Sequence, residues 1–168
     1  GVMGKHNTMN ALSVAATSWV MGIPGECVTR GIQAFHGAGR RMEYKGDYHG
    51  AKVYDDYAHH PDELRATLEA IRGMGDNRLV LAFQPHTYTR TKLLKDDFVR
   101  ELKKADVVVL AEIYAARESN TIGISSADLA AQIPGAIFCE TLQDVTACLR
   151  EIVRDGDIVV TMGAGDIF

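Results

Sequence analysis

The sequence has no surplus of positive charge: 18 Lys and Arg stand against 22 Asp and Glu, a formal net charge of −4. Binding a nucleic-acid backbone needs a concentrated basic footprint, so that class of partner is excluded, although one local anion site is not. No apolar run approaches the roughly 20 residues that span a bilayer, and the N-terminus lacks a signal-peptide pattern. No membrane partner is expected, and the expected location is cytoplasmic. Cysteine is scarce and odd in number. Cys27, Cys139 and Cys148 lie far apart in apolar stretches, which reads as buried thiols in a reducing compartment rather than a disulfide framework or a metal set. Also missing is a Gly-x-x-x-x-Gly-Lys-Ser/Thr phosphate loop or its shorter Gly-Lys-Thr form, so these residues alone are not expected to turn over a nucleotide.

What is present is ordinary for a soluble globular protein. With 168 residues, 46% hydrophobic and 24% charged, the chain holds one full domain and a piece of another. Its opening, Gly1-Val-Met-Gly-Lys-His, and its close, Gly163-Ala-Gly-Asp-Ile-Phe168, read as the ends of a segment cut from something longer. Asn7 to Met21 is expected to be a helix stopped by Gly22 and Pro24, with a short helix over Cys27 to Phe35. Arg41 to Tyr44 and Ala51 to Tyr54 read as strands across a turn that contains Gly46, Asp47 and Gly50. Thereafter helices at Pro61–Arg72, Thr91–Lys104, Ser126–Gln132 and Leu142–Arg154 alternate with strands at Leu79–Phe83, Val107–Leu110, Ala136–Cys139 and Asp157–Thr161. Uninterrupted apolar strands such as Val107-Val-Val-Leu110 suit a parallel sheet covered on both faces. The fold class is therefore α/β, with a doubly wound, mostly parallel sheet from about residue 37 onward.

Two polar clusters follow apolar stretches: Val53-Tyr-Asp-Asp-Tyr-Ala-His-His-Pro61 and Phe83-Gln-Pro-His-Thr-Tyr-Thr-Arg90. Strands that end in acid, imidazole and guanidinium groups deliver them to the sheet edge where α/β proteins bind ligands. A small polar substrate is expected there. Asp55, Asp56, His59, His60 and His86 include metal-ligand chemistry, but no HExxH or facial-triad spacing is present, and adjacent His59 and His60 point in different directions. The plainer reading is that His60 and Pro61 start a helix whose positive end attracts the two acids. Arg90, four residues after His86, is placed to grip a carboxylate bidentately.

Three weaker signals each carry two readings. Asn7 and Asn10 stand one turn apart on a helix, where paired carboxamides complement the N6 and N7 edge of adenine; alternatively, Asn7 caps the helix. Arg40 and Arg41 follow Gly37-Ala-Gly39 and either reach phosphate oxygens across a domain junction or are solvated. Gly163-Ala-Gly165 either lets backbone N–H groups approach an anion or is a plain tight turn.

In order, the blocks Gly4-Lys-His-Asn-Thr-Met-Asn-Ala11, Gly37-Ala-Gly-Arg-Arg-Met-Glu43, Tyr54-Asp-Asp-Tyr-Ala-His-His-Pro61, Phe83-Gln-Pro-His-Thr-Tyr-Thr-Arg-Thr91, Ala111-Glu-Ile-Tyr-Ala-Ala116 and Met162-Gly-Ala-Gly-Asp-Ile167 resemble the bacterial Mur ligase family over essentially the whole chain. The resemblance implies that residues 1–36 finish a central ATP-binding domain. Residues 37–168 would then form the Rossmann-like C-terminal domain that binds the amino acid, with the phosphate loop and UDP-sugar domain upstream. It implies an ATP- and Mg2+-dependent ligase of peptidoglycan synthesis that joins L-alanine to UDP-N-acetylmuramate through an acyl phosphate. The magnesium ligands are expected mostly upstream, and the partners are those substrates and the upstream domains of the same chain. By the same resemblance, adenine contacts fall on Asn7 and Asn10, a phosphate contact on Arg41 and the ribose contact on Asp55. Amino-acid contacts fall on His59 and Arg90, with Tyr57 and His86 beside them and Gly165 and Asp166 closing over the substrate. His59 and Arg90 are the residues assigned to the chemistry, His59 as an acceptor for the amine proton. Thr87 stands where many members carry arginine, and Asp62 where threonine is common. The alternatives are a recycling ligase that adds a tripeptide, a noncatalytic ligand-binding domain and a metal hydrolase built on the Asp-His cluster.

Overall fold

The structure, a computed structural model, describes residues 5–168, with side chains from Asn7 onward; Gly4 of the first motif lies outside them. The chain begins with two helices, α1 (Lys5–Val20) and α2 (Gly25–Ala34). α1 ends in a Schellman motif: Gly22, at φ 72°, donates its N–H to Trp19 O at 2.9 Å, and Ile23 donates to Ser18 O at 2.9 Å. Because α1 starts at Lys5, Asn7 lies inside the helix rather than at its cap.

A hairpin follows, β1 (Glu43–Tyr48) and β2 (Ala51–Asp56), paired antiparallel with Tyr48 opposite Ala51. The turn is His49-Gly50, with φ of 48° and 82°, the doubly left-handed turn whose twist matches two paired strands. Gly46 and Asp47, expected in the turn, belong to β1 instead. The ladder shifts register between Tyr44 and Gly46, and this irregularity absorbs the glycine inside the strand.

From β2 the chain alternates: α3 (Pro61–Arg72), β3 (Leu79–Phe83), α4 (Tyr88–Leu93), α5 (Lys95–Leu102), β4 (Val107–Ala111), α6 (Ala127–Ala130), β5 (Ile137–Cys139), α7 (Leu142–Ile152) and β6 (Ile158–Met162). The single helix expected over Thr91–Lys104 starts earlier and bends at Leu94, where ψ rises to 21°. The bond from Leu94 N–H to Arg90 O and that from Phe98 N–H to Leu94 O carry the ladder across the bend. Sheet order is β1-β2-β6-β3-β4-β5, parallel except for β1.

Alternation along the strands divides the core. Leu79, Leu81 and Phe83 of β3 face α3 and α5 in the larger cluster, whereas Val80 and Ala82 face the side covered by α7. Phe83 meets Phe98 at 5.6 Å between ring centroids. Cys139 is buried beneath α7 and Cys148 is half-buried, but Cys27 is exposed on α2, contrary to the expectation for all three thiols. Burial pushes the Cys139 thiol up to about 11, with Cys148 beside it acting in the same direction.

Candidate functional site

The parallel strands β2, β6, β3 and β4 all end at one edge, and their following loops carry both polar clusters. Two neighbouring places result, a cleft on the α3 side and a polar surface at the strand ends.

The cleft, about 1000 Å³, lies between α1 and α2 and the start of the α/β domain. Asn7 and Asn10 are on one wall and Arg41, Asp56 and Thr67 on another, with apolar side chains such as Val14, Ile32 and Phe35 between them. Asn10 Nδ2 donates to Asn7 Oδ1 at 3.4 Å. The Asp56 carboxylate accepts from the N–H groups of Met42 at 2.8 Å and Ala58 at 2.9 Å, and from the Thr67 hydroxyl at 3.3 Å. Burial raises its pKa despite these donors and the Arg41 charge. Its neighbour Asp55, which the resemblance assigned to ribose, is elsewhere. Successive strand residues point to opposite faces, so Asp55 projects away from the cleft. There it is 1% exposed, paired with Arg40 Nε at 2.9 Å, and accepts from the Thr161 hydroxyl at 2.9 Å.

At the strand ends, the structure brings together Tyr57, His59, His86 and Arg90. The Tyr57 and His59 rings lie 5.3 Å apart and the His59 and His86 rings 5.8 Å apart, while His86 stacks on Tyr114 at 5.6 Å. Arg90 Nη1 lies 3.5 Å from His86 Nδ1. A guanidinium only donates, so His86 Nδ1 is the acceptor and its proton is on Nε2. Burial first, then the Arg90 charge and that of His59 when it is protonated, lower the His86 pKa against the pull of Glu118, keeping this ring neutral at pH 7. His60 caps α3, accepting from Asp62 N–H at 3.3 Å, with Pro61 in the first turn. Asp62 itself is exposed and paired with Arg65 at 2.8 Å. Thr87, at φ 65°, occupies backbone space that β-branched residues avoid. It is held by its N–H to Tyr114 O at 2.9 Å and by the Thr91 hydroxyl, which donates to Thr87 O at 2.7 Å.

Gly165 and Asp166 sit behind this cluster. Gly163 donates its N–H to Asp56 O at 3.1 Å and Asp166 donates to Gln84 Oε1 at 3.0 Å, so these N–H groups serve packing and the glycine segment is a packed turn. A Cβ on Gly163, at φ 153°, would lie 2.7 Å from Gln84 O; one on Gly165 would lie 2.8 Å from Tyr114 Cγ. Gly163→Ala is therefore expected to cost about 2 kcal/mol, readable as a lowered urea midpoint.

Several structurally important groups escaped sequence reading. Arg40 turned out to be the anchored member of its pair, while Arg41 is exposed, 3.8 Å from Glu63. Glu63, three residues after the cap, carried a signal in the His60-x-x-Glu63 offset typical of reciprocal caps. Glu118 accepts from Thr89 N–H at 2.9 Å, tying the β4–α6 loop to α4, and had no readable sequence signal.

Residues 40–165 match the family model described as "Mur ligase, glutamate ligase domain". The chain belongs to the Mur ligase family. It is 46% identical to a UDP-N-acetylmuramate--L-alanine ligase of Lachnospira eligens over 100% of this chain, and 47% identical to one of Agathobacter rectalis over 99%. It spans only 38% and 37% of the length of those relatives. Among solved structures, it is similar to the UDP-N-acetylmuramate-alanine ligase of Thermotoga maritima, with a TM-score of 0.81 and 28% identity over 99% of this chain and 36% of that one. It is also similar to a murein peptide ligase of Psychrobacter arcticus, with a TM-score of 0.68 and 25% identity over 98% of this chain and 35% of that one. The α/β architecture is thus that of the Mur ligase C-terminal domain. Among the described residues, no group of three or more His, Cys, Asp or Glu side chains is disposed to hold a metal ion.

Proposed function

We propose that this chain is the amino-acid-binding end of an ATP-dependent ligase that joins L-alanine to UDP-N-acetylmuramate in the cytoplasm, a step of peptidoglycan synthesis. The observation that carries the proposal is the adjacency of two sites: a cleft with paired carboxamides and Arg41, and beside it the His59, His86 and Arg90 cluster. Residues 1–36 belong, on this reading, to a central ATP-binding domain. Trp19, Val20 and Met21 are 84%, 86% and 70% exposed, an apolar surface suited to the rest of such a domain.

The roles follow from chemistry. ATP, as co-substrate, converts the muramate carboxylate to an acyl phosphate, with magnesium held by residues upstream. Asn7 and Asn10 present a donor and an acceptor to the adenine edge, and Arg41 faces the phosphates. Asp56, the acid that lines the cleft, takes the ribose contact that the resemblance placed on Asp55. Arg90 grips the alanine carboxylate, with Tyr57 and His86 flanking it and the Gly165-Asp166 turn behind. With its carboxylate pinned, the amino acid's amine is aimed at the activated carbonyl, and such orientation can supply a large part of the barrier reduction. His59 accepts the amine proton as the new bond forms.

The test joins this segment to its native upstream sequence and measures phosphate release from ATP with UDP-N-acetylmuramate. L-alanine and the tripeptide accepted by recycling ligases are offered in parallel. Release that depends on L-alanine is expected. Preference for the tripeptide, a reading favoured by the likeness to the murein peptide ligase, would reassign the donor, and no release with either would leave a binding domain.

A further inference from the structure

One carboxylate connects the two sites. Glu63, half-buried at the start of α3, points one oxygen at Arg41 Nη1, 3.8 Å away, and the other at His59. That second oxygen accepts from the His59 backbone N–H at 3.0 Å and lies 3.5 Å from His59 Nδ1. His59 Nδ1 is also 3.0 Å from Tyr57 O. A carbonyl only accepts, so Nδ1 carries the proton and Nε2 is left with a free lone pair. The Tyr57 carbonyl and the Glu63 carboxylate thus lie beside the protonated nitrogen, and the other imidazole nitrogen is left free, which is the orienter-and-base logic that recurs wherever a histidine removes a proton. The carboxylate anchors the His59 backbone and, 3.5 Å from Nδ1, stabilises the positive charge the ring gains.

We propose that Glu63 is the positioning residue for His59, holding its backbone through the N–H and supporting the protonated ring when it takes the proton of the incoming amine. The proposal rests on the reading of His59 as that proton acceptor. In the step, the amine nitrogen forms its bond to the acyl carbon, phosphate departs with the bonding pair, and the surplus ammonium proton moves to His59 Nε2. Glu63 gains no proton. Burial acts to raise the Glu63 pKa but is outweighed by the His59 N–H, the His59 and Arg41 charges and the His60 N–H, so the group stays ionised at neutral pH. The groups that face His59 are Glu63 from α3, Arg41 beyond it, Tyr57 in its own loop, and His86 with Arg90 from the β3–α4 loop.

The informative substitution is Glu63→Gln in the whole enzyme. A carboxamide oxygen still accepts the backbone N–H groups at the helix start, so thermal melting should be unchanged, whereas Glu63→Ala removes the cap as well and should melt lower. For Glu63→Gln, kcat with L-alanine is expected to fall about tenfold to a hundredfold, with the L-alanine KM within about twofold of wild type. In NMR spectra of the same enzymes at one fixed pH, the His59 ring nitrogen resonances should shift when Glu63 is replaced by Gln. An unchanged kcat together with unmoved ring resonances would overturn the proposal, as would a loss confined to KM. A wild-type enzyme inactive toward L-alanine but with His59 ring resonances that still depend on Glu63 would remove the proposed reaction and leave the positioning geometry standing.

Discussion

Arg90→Ala in the whole enzyme is expected to raise the L-alanine KM about a hundredfold. On the proposed reading, a guanidinium-carboxylate contact at a half-buried surface is lost with the side chain, and truncating one partner of such a pair costs roughly 2–5 kcal/mol, with each 1.4 kcal/mol a factor of ten. The site offers little compensation. Thr87, which by the family resemblance stands in place of an arginine, carries no charge, and its backbone is committed to Tyr114 and Thr91. His86 is held neutral by its surroundings and contributes no charge to a bound carboxylate. Since the amino acid's carboxylate is present in both ground and transition states, the loss should appear mainly in KM and much less in kcat. Steady-state kinetics at saturating ATP separates the two. An unchanged KM would take Arg90 out of the site.

Arg40→Ala should produce the largest loss of stability among these substitutions, about 3 kcal/mol, because it removes one half of a pair whose other half is buried. Arg40 Nε holds Asp55 at 2.9 Å, while Nη2 donates to Gly163 O at 2.7 Å and Nη1 to Gly165 O at 3.3 Å. Its guanidinium also covers the rings of Tyr57 at 5.1 Å and Phe168 at 4.1 Å. One side chain thus fastens the glycine turn after β6 to the end of β2. Without it, Asp55 keeps only the Thr161 hydroxyl as a side-chain donor, and its charge is stranded. Urea unfolding checks the loss. The double substitution of Arg40→Ala with Asp55→Asn should cost clearly less than the sum of the singles, since the stranded charge is then gone. Strict additivity would mean that the pair contributes nothing.

Much of this arrangement is legible in the sequence for a physical reason: unbroken apolar strands bounded by glycine, proline and polar clusters admit few alternatives. Pro61–Arg72 and Leu79–Phe83 match the expected spans without change. What failed was finer. The two adjacent acids after Tyr54 look equivalent in one dimension, yet Val53 and Tyr54 already state the alternation that sends Asp56 toward α3 and Asp55 toward α7. Arg40 and Arg41 gave no such clue, because their roles depend on a left-handed backbone at Arg40, φ 54°, and on carbonyls more than a hundred positions later. The hairpin turn was misplaced because glycine signals both turns and bulges, and only the pairing register tells them apart.

The sheet order carries a consequence for how the molecule is made. β6 is the last strand in the described chain, yet it lies between β2 and β3. During synthesis, the hairpin on one side and the β3-β4-β5 ladder on the other emerge first, each with an open inner edge and nothing yet to join them. Contacts across that gap span about a hundred residues, so closing the sheet is a late, slow event that waits for residues 158–162. A nascent or truncated molecule that ends before Ile158 therefore presents two sticky edges, and its hazard is self-association rather than simple loss of activity.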